Sequence, residues 1–155
     1  MDQSELRESL PAVLEQVFPG RTSEIVPGSP VWLLTGQDNV SAIGALSGPD
    51  QVRITSGCAR DVPETLELHR HLSALNKQFM IGRIYAINMT RPGLCDVVME
   101  DIIFGAVLSW DFVPSMQDLA TRATTLTNGA ARAGVQIRAQ FGGRPFTPDD
   151  VMALL

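Results

Sequence analysis

The stretch from Asp118 to Gly143, DLATRATTLTNGAARAGVQIRAQFGG, constrains this chain most. It reads as one long helix. Met116, Leu119, Ala123, Leu126, Ala130, Ala133, Ile137 and Phe141 recur at the three-four spacing of a single helical face. Large residues stand at both ends of that stripe and alanines in its middle, with Gly134 beside them. A helix laid across a twisted sheet comes closest at the centre of the contact, where only small side chains fit. The stripe therefore predicts a helix crossing a sheet, with a helix–helix homodimer seam as the rival. VPSMQDL opens the helix, with Ser115 and Asp118 at capping-box spacing, and Gly142 and Gly143 supply the left-handed residue that ends one.

What precedes this helix has to supply the sheet. SELRESLPAVLEQVF places Leu6, Leu10, Val13, Leu14 and Val17 on one helical face, with Pro11 setting a start near Ser9 or a kink. PGRTSEIVPGSP, with three prolines and two glycines in twelve residues, reads as loop. VWLLT, NVSAIGALS and QVRITSG are short strand-like runs separated by GQD and GPD, which fits an antiparallel meander. In DVPETLELHRHLSALNKQF the period changes to helical. Asp61 is placed to cap, Pro63 sits early and Glu64 completes a capping box, while Leu68, Leu72, Leu75 and Phe79 form the apolar stripe with Leu66 beside it. IGRIYAINMT and DVVMEDIIFG, joined by RPGLC, are two further strands. The tail TPDDVMALL carries Thr147 as cap, Pro148 at the first helical position and Asp150 for the box. The expected fold is α+β: one antiparallel five-stranded sheet in the order α-β-β-β-α-β-β-α. The long C-terminal helix lies across it and a short extra tail helix follows, within a single domain over residues 1–155.

Composition bounds the function. A hydrophobic share of 45% and a charged share of 19% are ordinary for a folded domain. The net charge of −5 argues against nucleic-acid binding, which calls for a basic stripe. MDQSELRESL lacks the apolar core of a signal peptide, and no apolar run approaches the ~18 residues of a membrane span. Membrane insertion is therefore not expected. Cys58 and Cys95 show no CxxC pattern and read as reduced thiols, so the expected compartment is the cytoplasm.

No residue set spells out a reaction. His69 and His71, two apart on a helix, point about 200° apart and cannot chelate one metal. Neither cysteine has a flanking basic or histidine motif that would make it a nucleophile. GALSG is not a nucleophile elbow, because it lies on strand-turn-strand. Glu100 and Asp101 are neighbours on a strand and so face opposite sides, with one of them expected in solvent. GGRPF ends a helix where a phosphate loop would begin one. No catalytic residue, metal ligand or cofactor is expected. Trp32, Trp110 and Phe112 read as core or near-core aromatics, or as a partner-binding surface, where Trp is enriched.

LNKQFMIGRIYAINM, then DVVMEDIIFG, then a long helix ending AQFGG, resembles the YbjN-like domains of the type III secretion chaperone-like superfamily. The likeness covers Pro63 to Gly143 and is carried by Leu75-Asn76, Gly82-Arg83, Glu100 and Phe141-Gly142-Gly143. It implies a small, acidic, usually dimeric α+β domain that is not an enzyme and binds proteins, holding an extended segment of a partner or secretion substrate. The alternative is a structural or regulatory homodimer that contacts folded partners. A homodimer is expected through the helix from Pro63 to Phe79 or the strand from Ile81 to Thr90, with Leu66, His69, Leu72, Phe79 and Ile84 at the interface. Two-fold pairing is the commonest soluble assembly, and the resembled chaperones pair through the corresponding region.

Overall fold

A computed structural model describes residues 3–25, 31–36, 39–45, 51–88, 91–104 and 113–152. Ten elements follow in order: α1 (Gln3–Val17), β1 (Thr22–Glu24), β2 (Val31–Thr35), β3 (Val40–Ala45), β4 (Gln51–Pro63), α2 (Leu66–Asn76), β5 (Arg83–Ile87), β6 (Leu94–Phe104), α3 (Val113–Phe141) and α4 (Pro148–Met152). The strands form one antiparallel sheet in the spatial order β1-β2-β3-β4-β6-β5.

The sheet has six strands where the sequence led us to expect five. Thr22–Glu24, inside the stretch read as loop, pairs with β2 through Ser23 and Leu33. Three residues are too few for a period-2 signal, and two of them are exposed, so nothing in their pattern marks a strand. What makes them one is the open edge of β2.

Alternation along the paired strands separates two faces. Trp32, Leu34, Ile43, Val52, Ile54, Val97, Met99 and Ile84 point to one face and are buried there. α1, α2 and α3 cover it: Leu10, Val13, Leu14 and Phe18, then Leu68, Leu72 and Leu75, then the α3 stripe complete one core. α1 runs through Pro11 without ending there, so the helix starts well before Ser9.

The start of α2 departs from expectation. Asp61 is not its cap. β4 continues through Pro63 because Val62 and Pro63 pair with Cys95 and Leu94, which draws this segment into the sheet. Asp61 sits there with a φ of 57°. Thr65 caps instead: its backbone is extended and its Oγ1 accepts from the Leu68 N–H at 3.1 Å.

α3 crosses the first face as its stripe predicts. Leu119, Ala123, Leu126, Ala130, Ala133 and Ile137 are all buried. The close approach is to the backbone of β4. Gly57 pairs with Val98 and Ala59 with Val97, so Cys58 is an extra residue in a β-bulge. A Cβ at Gly134 would lie 2.3 Å from the Cys58 carbonyl oxygen. Through the space that glycine leaves, Arg138 Nη1 donates to that oxygen at 2.6 Å. Gly142 and Gly143, at φ of 90° and 95°, end the helix as expected.

The second face is closed over part of its area by the tail. Phe146 and Val151 pack with Val40, Ala42 and Val98, with Val31, Leu33, Tyr85 and Ile87 half-buried around them. Gly57 admits the Phe146 ring, whose Cγ would be 2.4 Å from a Cβ at that position. α4 opens with the expected reciprocal cap, in which the Thr147 N–H donates to Asp150 Oδ2 at 2.9 Å and the Asp150 N–H to Thr147 Oγ1 at 3.3 Å.

Gly134→Ala should destabilise the chain by about 1–3 kcal/mol through overpacking, although alanine favours a helix interior by about 1 kcal/mol. Ala130→Leu should do the same. Urea denaturation measures both, and unchanged midpoints would mean that the helix is not seated on the bulge.

Candidate functional site

α2 ends at Asn76, and the next six residues turn back into β5. Gln78 and Phe79 N–H groups both bond to the Leu75 carbonyl, which holds the first turn of this connection. Gly82, at a φ of 73°, fits where a Cβ would lie 2.6 Å from Leu126 and 2.7 Å from the Glu100 carbonyl. The connection is thereby pressed against α3 and β6. Its apolar run Phe79-Met80-Ile81 stands beside α3, and Met80 is 99% exposed.

Between this connection and α3 lies a groove of about 560 Å³. Leu75, Phe79 and Met99 are apolar parts of its lining, and Met80 and Ile81 line the connection side. On the α3 side Gly129 and Ala133 keep the wall low. A Cβ at Gly129 would stand in ordinary contact, 3.4 Å from the Met99 thioether. Thr125, Asn128, Arg132 and Gln136 also line the groove and are exposed, and no carboxylate is among its lining residues. Methionine side chains adapt to differently shaped apolar partners, and glycine and alanine let a partner's backbone come near.

A second cavity, of about 510 Å³, is polar: Arg21, Thr35, Asn39, Thr124, Thr127 and Asn128 line it with Phe18. Asn39 and Arg21 are engaged in bonds that tie its walls together. Asn39 Nδ2 donates to Ser56 Oγ at 2.8 Å and to the Thr127 carbonyl at 2.9 Å, and Arg21 Nε donates to the Thr35 carbonyl at 3.2 Å. We read it as the joint between the β2–β3 corner and α3.

Two charged clusters remain. Glu100, buried on the second sheet face, accepts from Arg83 Nη2 at 3.2 Å and from the Tyr85 hydroxyl at 3.0 Å, with Arg53 Nε 3.4 Å away. Burial, then the Glu100 charge, pushes the Tyr85 hydroxyl above its ordinary range. Asp101 points to the opposite face and holds Arg122. Glu100 and Asp101 do face opposite sides, but neither is left to solvent alone. The other cluster ties the tail to the sheet: Arg60 and Arg144 both reach Asp150, at 2.6 and 2.7 Å, Arg144 reaches Asp61 at 2.9 Å, and Arg91 holds Asp61 and Asp96.

The residues singled out from sequence are not brought together. Trp32 is buried in the core, so its indole is not on a partner-binding surface; Trp110 and Phe112 lie outside the described residues. Among the expected interface residues, Leu72 and Ile84 are buried in the chain's own core, and only Leu66 and His69 are exposed. Phe79 is half-buried and lines the groove. His69 bonds Glu64 at 3.1 Å, whereas the His71 ring packs on Phe141 with centroids 5.3 Å apart. Cys58 and Cys95 are buried and unpaired, and burial pushes their thiols up to about 12 and about 11. The sequence reading missed Met80, Met99, Gly129 and Arg132. A signal was present in Gly129, a mid-helix glycine off the buried stripe that costs about 1 kcal/mol relative to alanine.

An antiparallel sheet under a long crossing helix, with helices before and within the strand order, defines an α+β protein with a YbjN-like fold. A solved structure with this fold is YbjN from E. coli, described as a proposed transcription regulator. That structure matches with a TM-score of 0.65 over 84% of this chain and 92% of that chain, at 12% identity. No family model matches the sequence. No curated protein matches it either. No helix among the described residues is long and apolar enough to cross a membrane.

The tail clamp carries a pH signature. The Arg144 guanidinium holds the Asp150 carboxyl far below the ordinary 3.8, with the Thr147 cap and Arg60 adding to it. A depressed folded pKa gives stability that is complete above the ordinary value and is lost as pH falls below it. The protection factor of the Val151 amide, which bonds to the Thr147 carbonyl, should therefore fall below about pH 4 when its hydrogen exchange is compared with that of an unprotected amide at the same pH. Asp150→Asn should give the same loss of protection at pH 7. Equal protection at pH 7 and pH 3 would show that the clamp does not hold the tail.

Proposed function

We propose that the chain is a non-catalytic protein-binding module that holds a segment of a partner protein in the groove between α3 and the α2–β5 connection. One observation carries the reading: a fully exposed methionine beside a glycine notch in a buried-core helix, over an apolar floor. An apolar trough of this kind is the usual form of a peptide or ligand site. The resemblance to the secretion chaperones supports it, as does the YbjN-like fold. Two buried thiols with raised pKa values favour binding over thiol chemistry and suit a cytoplasmic protein.

The groove is a better place for a partner than the sheet edges. Asn76 already bonds both outward groups of Ile84 on the β5 edge, donating to its carbonyl and accepting from its N–H at 2.8 Å each. β1, at the other edge, is three residues long. Strand addition needs a longer row of free backbone groups. A regulatory role like that ascribed to YbjN would be exercised through protein contact, since the net charge of −5 opposes a phosphate backbone.

A second reading is a homodimer paired through α2. Leu66 is 59% exposed, and the tail packs on the second sheet face, away from α2. Sedimentation at micromolar concentration decides it: a dimer gives twice 16.8 kDa, and a clean 16.8 kDa species removes the pairing. The groove is tested by placing a photoreactive amino acid at position 80 and mapping the crosslinked segment. We expect one short segment of a partner, and we expect its capture to be lost in Gly129→Leu, where the new side chain fills the groove. Capture that persists unchanged in Gly129→Leu would overturn the groove reading.

A further inference from the structure

We infer that the segment held in the groove is an acidic amphipathic helix of about three turns, with apolar residues on one face and carboxylates along one flank. The inference rests on the groove being the binding site. Thr125, Asn128, Arg132 and Gln136 stand at successive three- and four-residue steps along the groove side of α3, and all four are exposed. Each can donate a hydrogen bond, and none carries a negative charge. At 1.5 Å per residue this row of donors is about 16 Å long.

Among the described residues, Arg132 is the one cation that lines the groove, and no carboxylate lines it. Arg53, Arg60, Arg83, Arg91, Arg122 and Arg144 each hold a carboxylate of this chain. Arg132 and Lys77, the cation just before the groove residues Gln78 to Ile81, hold none among the described residues. Asp118, the carboxylate on α3, and Asp101 on β6 are both bound by Arg122. In a chain of net charge −5, the groove is thus a locally positive trough with an apolar floor. Charge of that sign selects and steers an acidic partner.

The partner's backbone decides between helix and strand. A segment lying in an apolar trough has to have its N–H and C=O groups satisfied. The Ile84 groups on the neighbouring edge are taken by Asn76, so they cannot serve it. A helix satisfies its own groups and presents residues at i, i+4 and i+7 to the floor, which is the helix-in-groove mode.

The test uses the full chain and fluorescent synthetic peptides of about fourteen residues, long enough for the three turns. One has leucines at i, i+4 and i+7 and glutamates along one flank. A second replaces the glutamates with lysines, and a third replaces the leucines with serines. Fluorescence anisotropy at low salt should show the glutamate peptide binding about tenfold or more tighter than either control, with the difference shrinking as salt rises. Arg132→Glu should reverse the preference between glutamate and lysine peptides, and Arg132→Lys should preserve it. Arg132 is exposed, so both variants should melt like the parent; if Arg132→Glu does not, the loss of preference in Arg132→Gln is the readout. Lysine and glutamate peptides that bind equally, and are both displaced by Gly129→Leu, would overturn the acidic partner while leaving the groove standing. Binding indifferent to Gly129→Leu, or no binding of any peptide up to about 1 mM, would overturn both.

Discussion

The Cys58 carbonyl organises the molecule. The bulge at Cys58 takes this oxygen out of the regular ladder with β6, beneath the centre of α3. Left without a donor, a buried carbonyl there would cost about 1–3 kcal/mol. Arg138 supplies the donor, and it can do so only because Gly134 has no side chain in the way: a Cβ would lie 2.8 Å from Arg138 Nη1 as well as 2.3 Å from the oxygen. The bulge, the glycine and the arginine therefore fix the depth at which α3 sits. Everything mounted on α3 inherits that position, including Arg132 about half a turn and Gly129 little more than a turn before Gly134. Moving the helix outward by the width of a methyl group would lift Gly129 off Met99 and open the groove floor.

The sheet's two faces are covered by different physics. On the first, three helices bury a continuous apolar core in which large aliphatic side chains are fully enclosed. On the second, the Phe146 ring in the hollow over Gly57 and Val151 supply the apolar contact, and a partly buried network of three arginines and three aspartates positions them. Ion pairs that solvent still reaches contribute about 1 kcal/mol or less each. Their part is to orient the tail, while the Phe146 ring stabilises it. The tail is thus the weaker cover.

How much of this was legible follows from which interactions leave a periodic trace. The α3 stripe did, because burial at every third and fourth residue is written directly into Leu119, Ala123, Leu126, Ala130 and Ile137. The reciprocal cap at Thr147 and Asp150 did too, being local. β1 did not: its pairing belongs to the edge of β2, and Ser23 carries no sign of it. Asp61 has the spacing of a helix cap, but its neighbours Val62 and Pro63 have partners on β6 that no local pattern reveals, and the longer strand prevails over the cap. Leu72 and Ile84 looked available for a second copy because helical spacing and strand alternation show which side is apolar, and not which neighbour covers it. The groove was illegible for the same reason. Its lining comes from α2, the α2–β5 connection, β6 and α3, and its one local trace, the mid-helix Gly129, was missed beside the stripe.

Met80 is the most exposed of the large apolar side chains among the described residues, ahead of Leu66, Val135 and Met152. Gly82 sets the path of the connection, Ile81 turns partly inward, and position 80 is thereby left pointing to water. Any polar residue would satisfy that position equally well, since the methionine is almost wholly exposed and secures nothing. Gly129 is similar: alanine would touch Met99 at ordinary contact distance and would favour the helix. Both positions therefore depart from what stability alone would choose, and they lie on opposite walls of one groove. Arg132, near Gly129 on the same wall, is the one cation lining the groove and holds no carboxylate among the described residues. Met80, Gly129 and Arg132, none of them in the buried core, line the same trough.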